Sequence, residues 1–241
     1  MTLLGKLLAI VYPARNICLN CRKNFIHSEI IGICDSCLKE FEIAKNFCQK
    51  CGRELYALES DAAFCKYCLE QDYLFEQARS AGTYEGLLKK LLLNFKYNQE
   101  TELKRVLGHI LYISFRTYYR DEKIDRIIPV PIHARRLEQR GYNQAELLAK
   151  ELSNYCSIPL STDLKRVKDI PPLYNFAHEQ RRVLLRNTFY VRKNHYKNKC
   201  LLLIDDIFTT GATSNEIAAL LKDIGGADKV LVLTLATAHT Y

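Results

Sequence analysis

The apolar positions of this 241-residue chain fall into two periods. Residues 201–204 (Leu-Leu-Leu-Ile) and 229–235 (Lys-Val-Leu-Val-Leu-Thr-Leu) are near-continuous in apolar side chains, as in strands covered on both faces. Shorter runs at 78–84, 126–132 and 158–164 read as further strands, and Phe189-Tyr-Val leads toward the strand at 201. Between them the spacing changes to three and four. Leu87, Leu88, Leu91, Leu92 and Phe95 mark a helix over 85–97. Leu103, Val106, Leu107, Ile110, Leu111 and Ile113 mark a second over 101–119, and Ile217, Ala218, Leu220, Leu221 and Ile224 mark another after residue 213. Residues 142–149 open one more helix, and residues 1–17 read as a short amphipathic helix ending at Pro13. Strands alternating with helices predict an α/β protein built on a parallel sheet.

The hydrophobic pattern is interrupted between residues 18 and 68, where cysteine takes over. Eight of the ten cysteines lie there as four C-x₂-C pairs: Cys18/Cys21, Cys34/Cys37, Cys48/Cys51 and Cys65/Cys68, separated by 12, 10 and 13 residues. Two thiolates must reach one tetrahedral ion from a tight turn, which this spacing allows, and Gly52 after Cys51 supplies a permissive backbone. Four pairs predict two Zn²⁺ sites of four thiolates each. Sequential pairing of the knuckles fits the gaps and interleaved pairing stays open, with His27 as a possible substitute ligand. About fifty residues bury little core alone, so metal, worth roughly 10–16 kcal/mol in small zinc-finger peptides, is expected to decide whether this region folds. No signal peptide is read at the N-terminus. Its apolar cluster (Leu3, Leu4, Leu7, Leu8, Ile10) is broken by Lys6 and too short to span a bilayer. The cytoplasm is the expected setting, with a peripheral place at the inner membrane as the alternative.

Chemistry beyond metal concentrates after the strand at 201–204. Asp205 and Asp206 follow at its carboxyl end, then Thr209, Thr210, Gly211, Ala212 and Thr213 lead into a helix. Ligands of open α/β sheets bind beyond the carboxyl ends of strands, and a Gly-and-Thr loop at a helix start offers N–H groups, hydroxyls and a positive dipole to phosphate. Two carboxylates suit vicinal ribose hydroxyls or a water-rich Mg²⁺. The net charge of +8 favours anionic partners. Arg135, Arg136 and Arg140 lie in a basic loop, 133–141, after the strand at 126–132; guanidinium groups suit a diphosphate. Residues 165–187 are basic and carry Pro171 and Pro172, which argue against a regular element at the segment's start, so they read as a partly irregular candidate lid. Lys89, Lys96, Arg140, Arg181 and Arg182 are the candidate nucleic-acid contacts.

The stretch Leu201-Leu-Leu-Ile-Asp-Asp-Ile-Phe-Thr-Thr-Gly-Ala-Thr213 closely resembles the phosphoribosyl-pyrophosphate (PRPP) signature of type I phosphoribosyltransferases. The whole chain resembles the ComF family of competence proteins, with its ComFC-like and GntX-type members. Four features carry that resemblance: the cysteine pairs, Pro129-Val-Pro131 followed by Arg140-Gly-Tyr-Asn-Gln144, the Arg181-Arg182…Arg186-Asn187…Phe189 segment, and the signature. The resemblance implies a phosphoribosyltransferase-like parallel sheet flanked by helices (residues 76–241) behind a zinc-ribbon-like module (residues 1–75). It implies that Asp205 and Asp206 hold ribose hydroxyls with Mg²⁺, that residues 209–213 hold the 5′-phosphate, and that Arg135 and Arg136 reach the pyrophosphate. It further implies single-stranded DNA and competence-machinery proteins as partners during natural transformation. An active phosphoribosyltransferase of nucleotide metabolism is the alternative, although no stretch announces a base-binding hood. One departure is that Asp169-Ile-Pro-Pro-Leu-Tyr174 stands where members often carry Thr-x-x-Gln.

Overall fold

The computed structural model describes residues 16–44, 46–55, 62–97, 102–171, 176 and 178–238. The expected N-terminal helix falls outside them, except that Asn16 and Ile17 are extended.

The cysteine region is one small design used twice. In the first copy, strands β1 (Asn16–Ile17) and β2 (Asn24–Phe25) pair antiparallel around Cys18 and Cys21. Cys34 then caps the helix α1 (Asp35–Leu38), which carries Cys37. In the second copy, a bridge from Phe47 to Glu54 flanks Cys48 and Cys51, and Cys65 caps α2 (Lys66–Glu70), which carries Cys68. The knuckles match bond for bond. The Cys18 N–H donates to Lys23 O as Cys48 does to Arg53 O, and the Arg22 N–H donates to Cys18 O as Gly52 does to Cys48 O. Arg22 (φ 61°) and Gly52 (φ 70°) hold the same left-handed position.

Four strands form the main sheet: β3 (Gln77–Thr83), β4 (Arg126–Pro129), β7 (Cys200–Phe208) and β8 (Lys229–Thr237). Their order is β3-β8-β7-β4 and every pair is parallel. The near-continuous apolar runs are thus the two central strands, which explains why they lack alternation. Leu202, Ile204, Leu231, Leu233 and Leu235 face one side. There they pack on α3 (Gly86–Tyr97), α4 (Leu103–Tyr118) and α6 (Gln144–Cys156). Leu201, Leu203, Val230 and Val232 face the other, with α7 (His178–Leu185) and α8 (Ala212–Asp223). Each cysteine cluster joins a different face: Cys18, Cys34 and Cys37 the first, and Cys48, Cys51 and Cys65 the second.

Both sheet edges are covered. The Ala78 N–H of β3 donates to Lys50 O (2.8 Å) in the second knuckle, and the Thr83 N–H donates to Glu42 O (3.0 Å) between the two copies. At the other edge, Ile127 exchanges bonds with Pro159 O and the Ser161 N–H. The strand expected over 158–164 is reduced to this one bridge at Leu160. The basic loop expected over 133–141 is instead a helix, α5 (Ala134–Arg140). His133 caps it by accepting from the Arg135 N–H, and Gly141 closes it at φ 81°. In 165–187, β5 (Lys165–Arg166) opens the segment and α7 lies between it and β6 (Phe189–Tyr190), with which β5 pairs antiparallel; residues 172–175 and 177 lie outside those described.

Gly52 tests why the two copies differ. A Cβ there would lie 2.7 Å from Ala78 O, whereas Arg22 has the same φ on an exposed surface. Gly52→Ala is expected to cost about 2–3 kcal/mol, or roughly 5–10 °C in Tm, and Arg22→Gly under about 2 °C. Thermal melts of zinc-loaded protein check this, and equal shifts at the two sites would contradict it.

Candidate functional site

Strand β7 leaves its buried apolar run at Asp205 and Asp206, near its carboxyl end, before it closes with Ile207 and the buried Phe208. Asp206 lies on the α3 side, where Lys96, in the last turn of that helix, places its Nζ 2.6 Å from Asp206 Oδ2. Both side chains are largely buried, at 18% and 15% exposure. Burial alone pulls the Lys96 ammonium down, but Asp206, with help from Asp205, outweighs it and holds the group above its ordinary value. Asp205 accepts the N–H of Asp206 (2.9 Å). Burial, reinforced by the neighbouring Asp206 charge, pushes the Asp205 carboxyl up to about 7.

Beyond the acids, Gly211 turns the chain at φ 77° into α8, which has no side-chain cap. A Cβ at Gly211 would lie 2.7 Å from Phe208 Cζ and 3.0 Å from Tyr73 Cε1, so only glycine fits. Thr210 Oγ1 accepts the Ala212 N–H at 3.4 Å. The loop is also held from outside. Arg53 Nη2 donates to Thr209 O (2.8 Å), and Tyr73 OH donates to Thr210 O (2.7 Å). The Leu74 N–H donates to Asn215 Oδ1 (2.6 Å) on the first turn of α8. An uncapped helix start, a backbone loop held in shape and two carboxylates thus lie together at the carboxyl end of β7, an arrangement whose free N–H groups are of the kind that can receive an anion.

The basic residues divide. Arg136 Nη2 donates to Ile170 O (2.9 Å), and Arg135 Nη1 pairs with Asp169 Oδ2 (3.0 Å) while staying 71% exposed. Arg166 joins this group. Burial, then Arg136, pulls its guanidinium down to about 10, against the fields of Asp169 and Asp205. Arg140 donates to Gln144 Oε1 (2.8 Å) and Arg181 to Phe176 O (2.8 Å). Lys89 is exposed near the Tyr84 ring, and the Arg182 side chain lies outside those described. Sequence reasoning assigned Lys96 to nucleic acid and missed its place on Asp206. It also passed over Arg53, Tyr73 and Arg166. Arg53 directly follows a knuckle glycine, the one signal that could have drawn notice. A cleft of about 430 Å³ between Tyr73, Arg186 and Asn215 flanks α8, and the acid pair does not line it.

The cysteines fit zinc. The structure resolves the pairing as sequential, Cys18/Cys21/Cys34/Cys37 and Cys48/Cys51/Cys65/Cys68, with the sulfurs of each set within 4.8 Å of one another. His27 belongs to neither set. Sulfur separations of 3.8, 3.7 and 3.6 Å (Cys18–Cys37, Cys21–Cys34, Cys51–Cys65) agree with the about 3.8 Å edge of a tetrahedron whose Zn–S bonds are about 2.3 Å. Burial raises the Cys18 thiol, yet the N–H groups of Cys21, Cys34 and Asn20 bring it down to about 6, which favours the ligating thiolate.

Comparison with known proteins agrees with this layout. The model of the double zinc ribbon domain matches residues 7–69. The chain is 35% identical to competence protein F of Haemophilus influenzae, over 92% of this chain and 96% of that protein. It is 29% identical to competence protein ComFC of Bacillus subtilis (84% and 83% covered) and 28% identical to DNA utilization protein YhgH of Escherichia coli K12 (81% and 86%). Among solved structures, adenine phosphoribosyltransferase of Saccharomyces cerevisiae shares 15% identity over 59% of this chain and 80% of its own, at a TM-score of 0.37. UMP synthase of Leishmania donovani shares 19% over 59% and 24%, at 0.34. Likenesses this distant add nothing to the strand order and site placement described above.

Two outcomes follow from the acid pair. Lys96→Gln leaves Asp206 buried without its cation and is expected to cost about 3 kcal/mol, much of which Lys96→Gln/Asp206→Asn restores. Urea melts of the singles and the double decide it. Because the folded Asp205 carboxyl lies above the ordinary carboxylate range, its contribution to stability is fully present below about pH 4 and is lost as pH rises through about 7. Asp205→Asn should flatten that fall between about pH 4 and about pH 7.

Proposed function

The chain belongs to the family of competence protein F and ComFC, and on that footing we propose that it binds single-stranded DNA during natural transformation and holds PRPP at the carboxyl end of β7. The observation that carries the ribose-phosphate half is the pair Asp205 and Asp206 beside an uncapped helix start. The DNA half rests on the names of the relatives, competence proteins and DNA utilization proteins, and on the net charge of +8.

In this reading Asp205 and Asp206 accept the ribose 2′- and 3′-hydroxyls. The N–H groups and hydroxyls of Thr209, Thr210, Gly211, Ala212 and Thr213 donate to the 5′-phosphate. Arg136 and Arg166, with the exposed Arg135, meet the pyrophosphate. Lys96 holds the charge of Asp206 while the site is empty and shares it with the ligand when the site fills. Mg²⁺ bound with PRPP would supply charge neutralisation at the diphosphate. Lys89, Arg140, Arg181 and Arg182 remain the proposed DNA contacts. Residues 1–75 form the zinc module and 76–241 the phosphoribosyltransferase-like domain. The work is done in the cytoplasm, alongside other proteins of the competence machinery and with the inner membrane nearby. No helix among the described residues is long and apolar enough to cross a membrane. The intact signature also favours a second reading, transfer of the ribose phosphate to an acceptor with release of pyrophosphate.

The test pairs calorimetry of PRPP·Mg²⁺ with anisotropy of a labelled oligonucleotide. Asp205→Asn/Asp206→Asn should lose PRPP and keep DNA. If about five phosphates are contacted, DNA affinity should fall about 100-fold between about 50 and 200 mM salt. PRPP should bind more tightly at pH 8 than at pH 6, where Asp205 is largely protonated, and Asp205→Asn should weaken that dependence. No DNA binding at low salt sinks the DNA half, and consumption of PRPP with any base supplied would move the reading to transfer.

A further inference from the structure

The phosphate loop is shaped from outside as well as by its own bonds. Its carbonyls at Thr209 and Thr210 are held by Arg53 and Tyr73, and the first turn of α8 is held through Asn215 by the Leu74 N–H. All three groups belong to the second cysteine copy or the few residues after it. A trans peptide points its C=O and the following N–H in opposite directions. Drawing Thr209 O toward Arg53 therefore aims the Thr210 N–H away from the ribbon, and drawing Thr210 O toward Tyr73 does the same for the Gly211 N–H. Tyr73 stacks on Phe75 (4.9 Å between ring centroids), and Phe75 meets Phe208 edge-on, so the clamp sits on a rigid aromatic base.

Arg53 ties this clamp to metal. It follows the Cys48–Gly52 knuckle and accepts the Cys48 N–H at its carbonyl (2.8 Å). Its guanidinium lies 4.2 Å from the ring of Tyr67, between Cys65 and Cys68. The residue is 5% exposed, and among the described residues Nε and Nη1 have no hydrogen-bond partner. A buried cation this poorly satisfied needs a nearby counter-charge. Four thiolates around one divalent ion carry a net charge of about −2, which is that counter-charge.

We propose that the second centre, Cys48, Cys51, Cys65 and Cys68 with its zinc, positions the phosphate loop through Arg53 and Tyr73, so that metal binding there is thermodynamically linked to ribose-phosphate binding. The first centre has no such link. It packs on the opposite sheet face, its copy meets α4 where a Cβ on Gly32 would touch Val106 Cγ2, and among the described residues its hydrogen bonds do not reach the loop. The ligand half of this inference rests on the reading proposed above; the loop half does not.

The experiment uses the full zinc-loaded chain and reads hydrogen exchange in the peptide spanning 208–213. Arg53→Gln and Tyr73→Phe should keep both zinc ions and accelerate exchange there about 10-fold, the worth of one hydrogen bond of about 1.4 kcal/mol. Cys65→Ser/Cys68→Ser should do the same or more, and Cys18→Ser/Cys21→Ser should not. Reciprocally, PRPP·Mg²⁺ should slow release of one of the two zinc ions to a chelator about 10-fold, and Tyr73→Phe should remove that protection. Exchange within about twofold of wild type in both Arg53→Gln and Tyr73→Phe overturns the proposal, as does equal acceleration on loss of either centre. If PRPP does not bind the wild-type chain, the ribose-phosphate reading falls while the exchange measurements still decide the linkage.

Discussion

Strand β3 is an edge strand with nothing beyond it in the main sheet, and its outward N–H groups must find partners. They find them in the cysteine module: Ala78 on Lys50 O and Thr83 on Glu42 O. Much else depends on that seam. The module is too small to bury a core of its own, so each of its cysteine clusters borrows one face of the sheet. The sheet in turn gains a covered edge. The close approach at Gly52, where no Cβ is tolerated against Ala78 O, sets the module's distance from the strand. That distance brings Arg53 and Tyr73 to the loop after β7, two strands away in the sheet.

The acid pair follows a different economy of charge. Two adjacent carboxylates at a strand end repel each other, and burial worsens their position. Lys96 relieves Asp206 directly, and Asp205 is left with its carboxyl raised to about 7. The site therefore stands ready for cationic or hydroxyl-rich ligands at the cost of its own stability near neutral pH, a familiar balance at binding sites. On the other side, Arg136 and Arg166 crowd each other in the field of Asp205 and Asp169.

Much of this was legible from local pattern. The runs at 201–204 and 229–235 read as doubly covered strands because central parallel strands have no polar face, and they are the two inner strands of the sheet. The spacing of Leu87 through Phe95 and of Leu103 through Ile113 gave α3 and α4 to within a residue or two. The misreadings have local causes too. Residues 133–141 look like a basic loop by composition, yet a His133 cap and a Gly141 closure make them a helix whose surface is polar on nearly every side. Residues 158–164 carry strand-like apolar character but use only Leu160 to bridge β4, and the next extended pair, Lys165–Arg166, joins β6 instead.

The sequence by itself determined the two central strands, the long helices and the metal ligands, and it marked the Gly-and-Thr loop after β7. Each depends on residues close together in the chain: a period, a C-x₂-C spacing, or a run of acids, threonines and glycine. Only the tertiary structure decided which cysteine pairs share an ion, that Lys96 belongs to Asp206, and that Arg53 and Tyr73 shape the loop. Those contacts join residues 110, 156 and 137 positions apart for Lys96–Asp206, Arg53–Thr209 and Tyr73–Thr210. No periodicity spans such distances. They exist because the parallel sheet carries the end of β7 beside the second cysteine copy and the end of α3, and because a buried charge must take its partner from whatever the fold brings near.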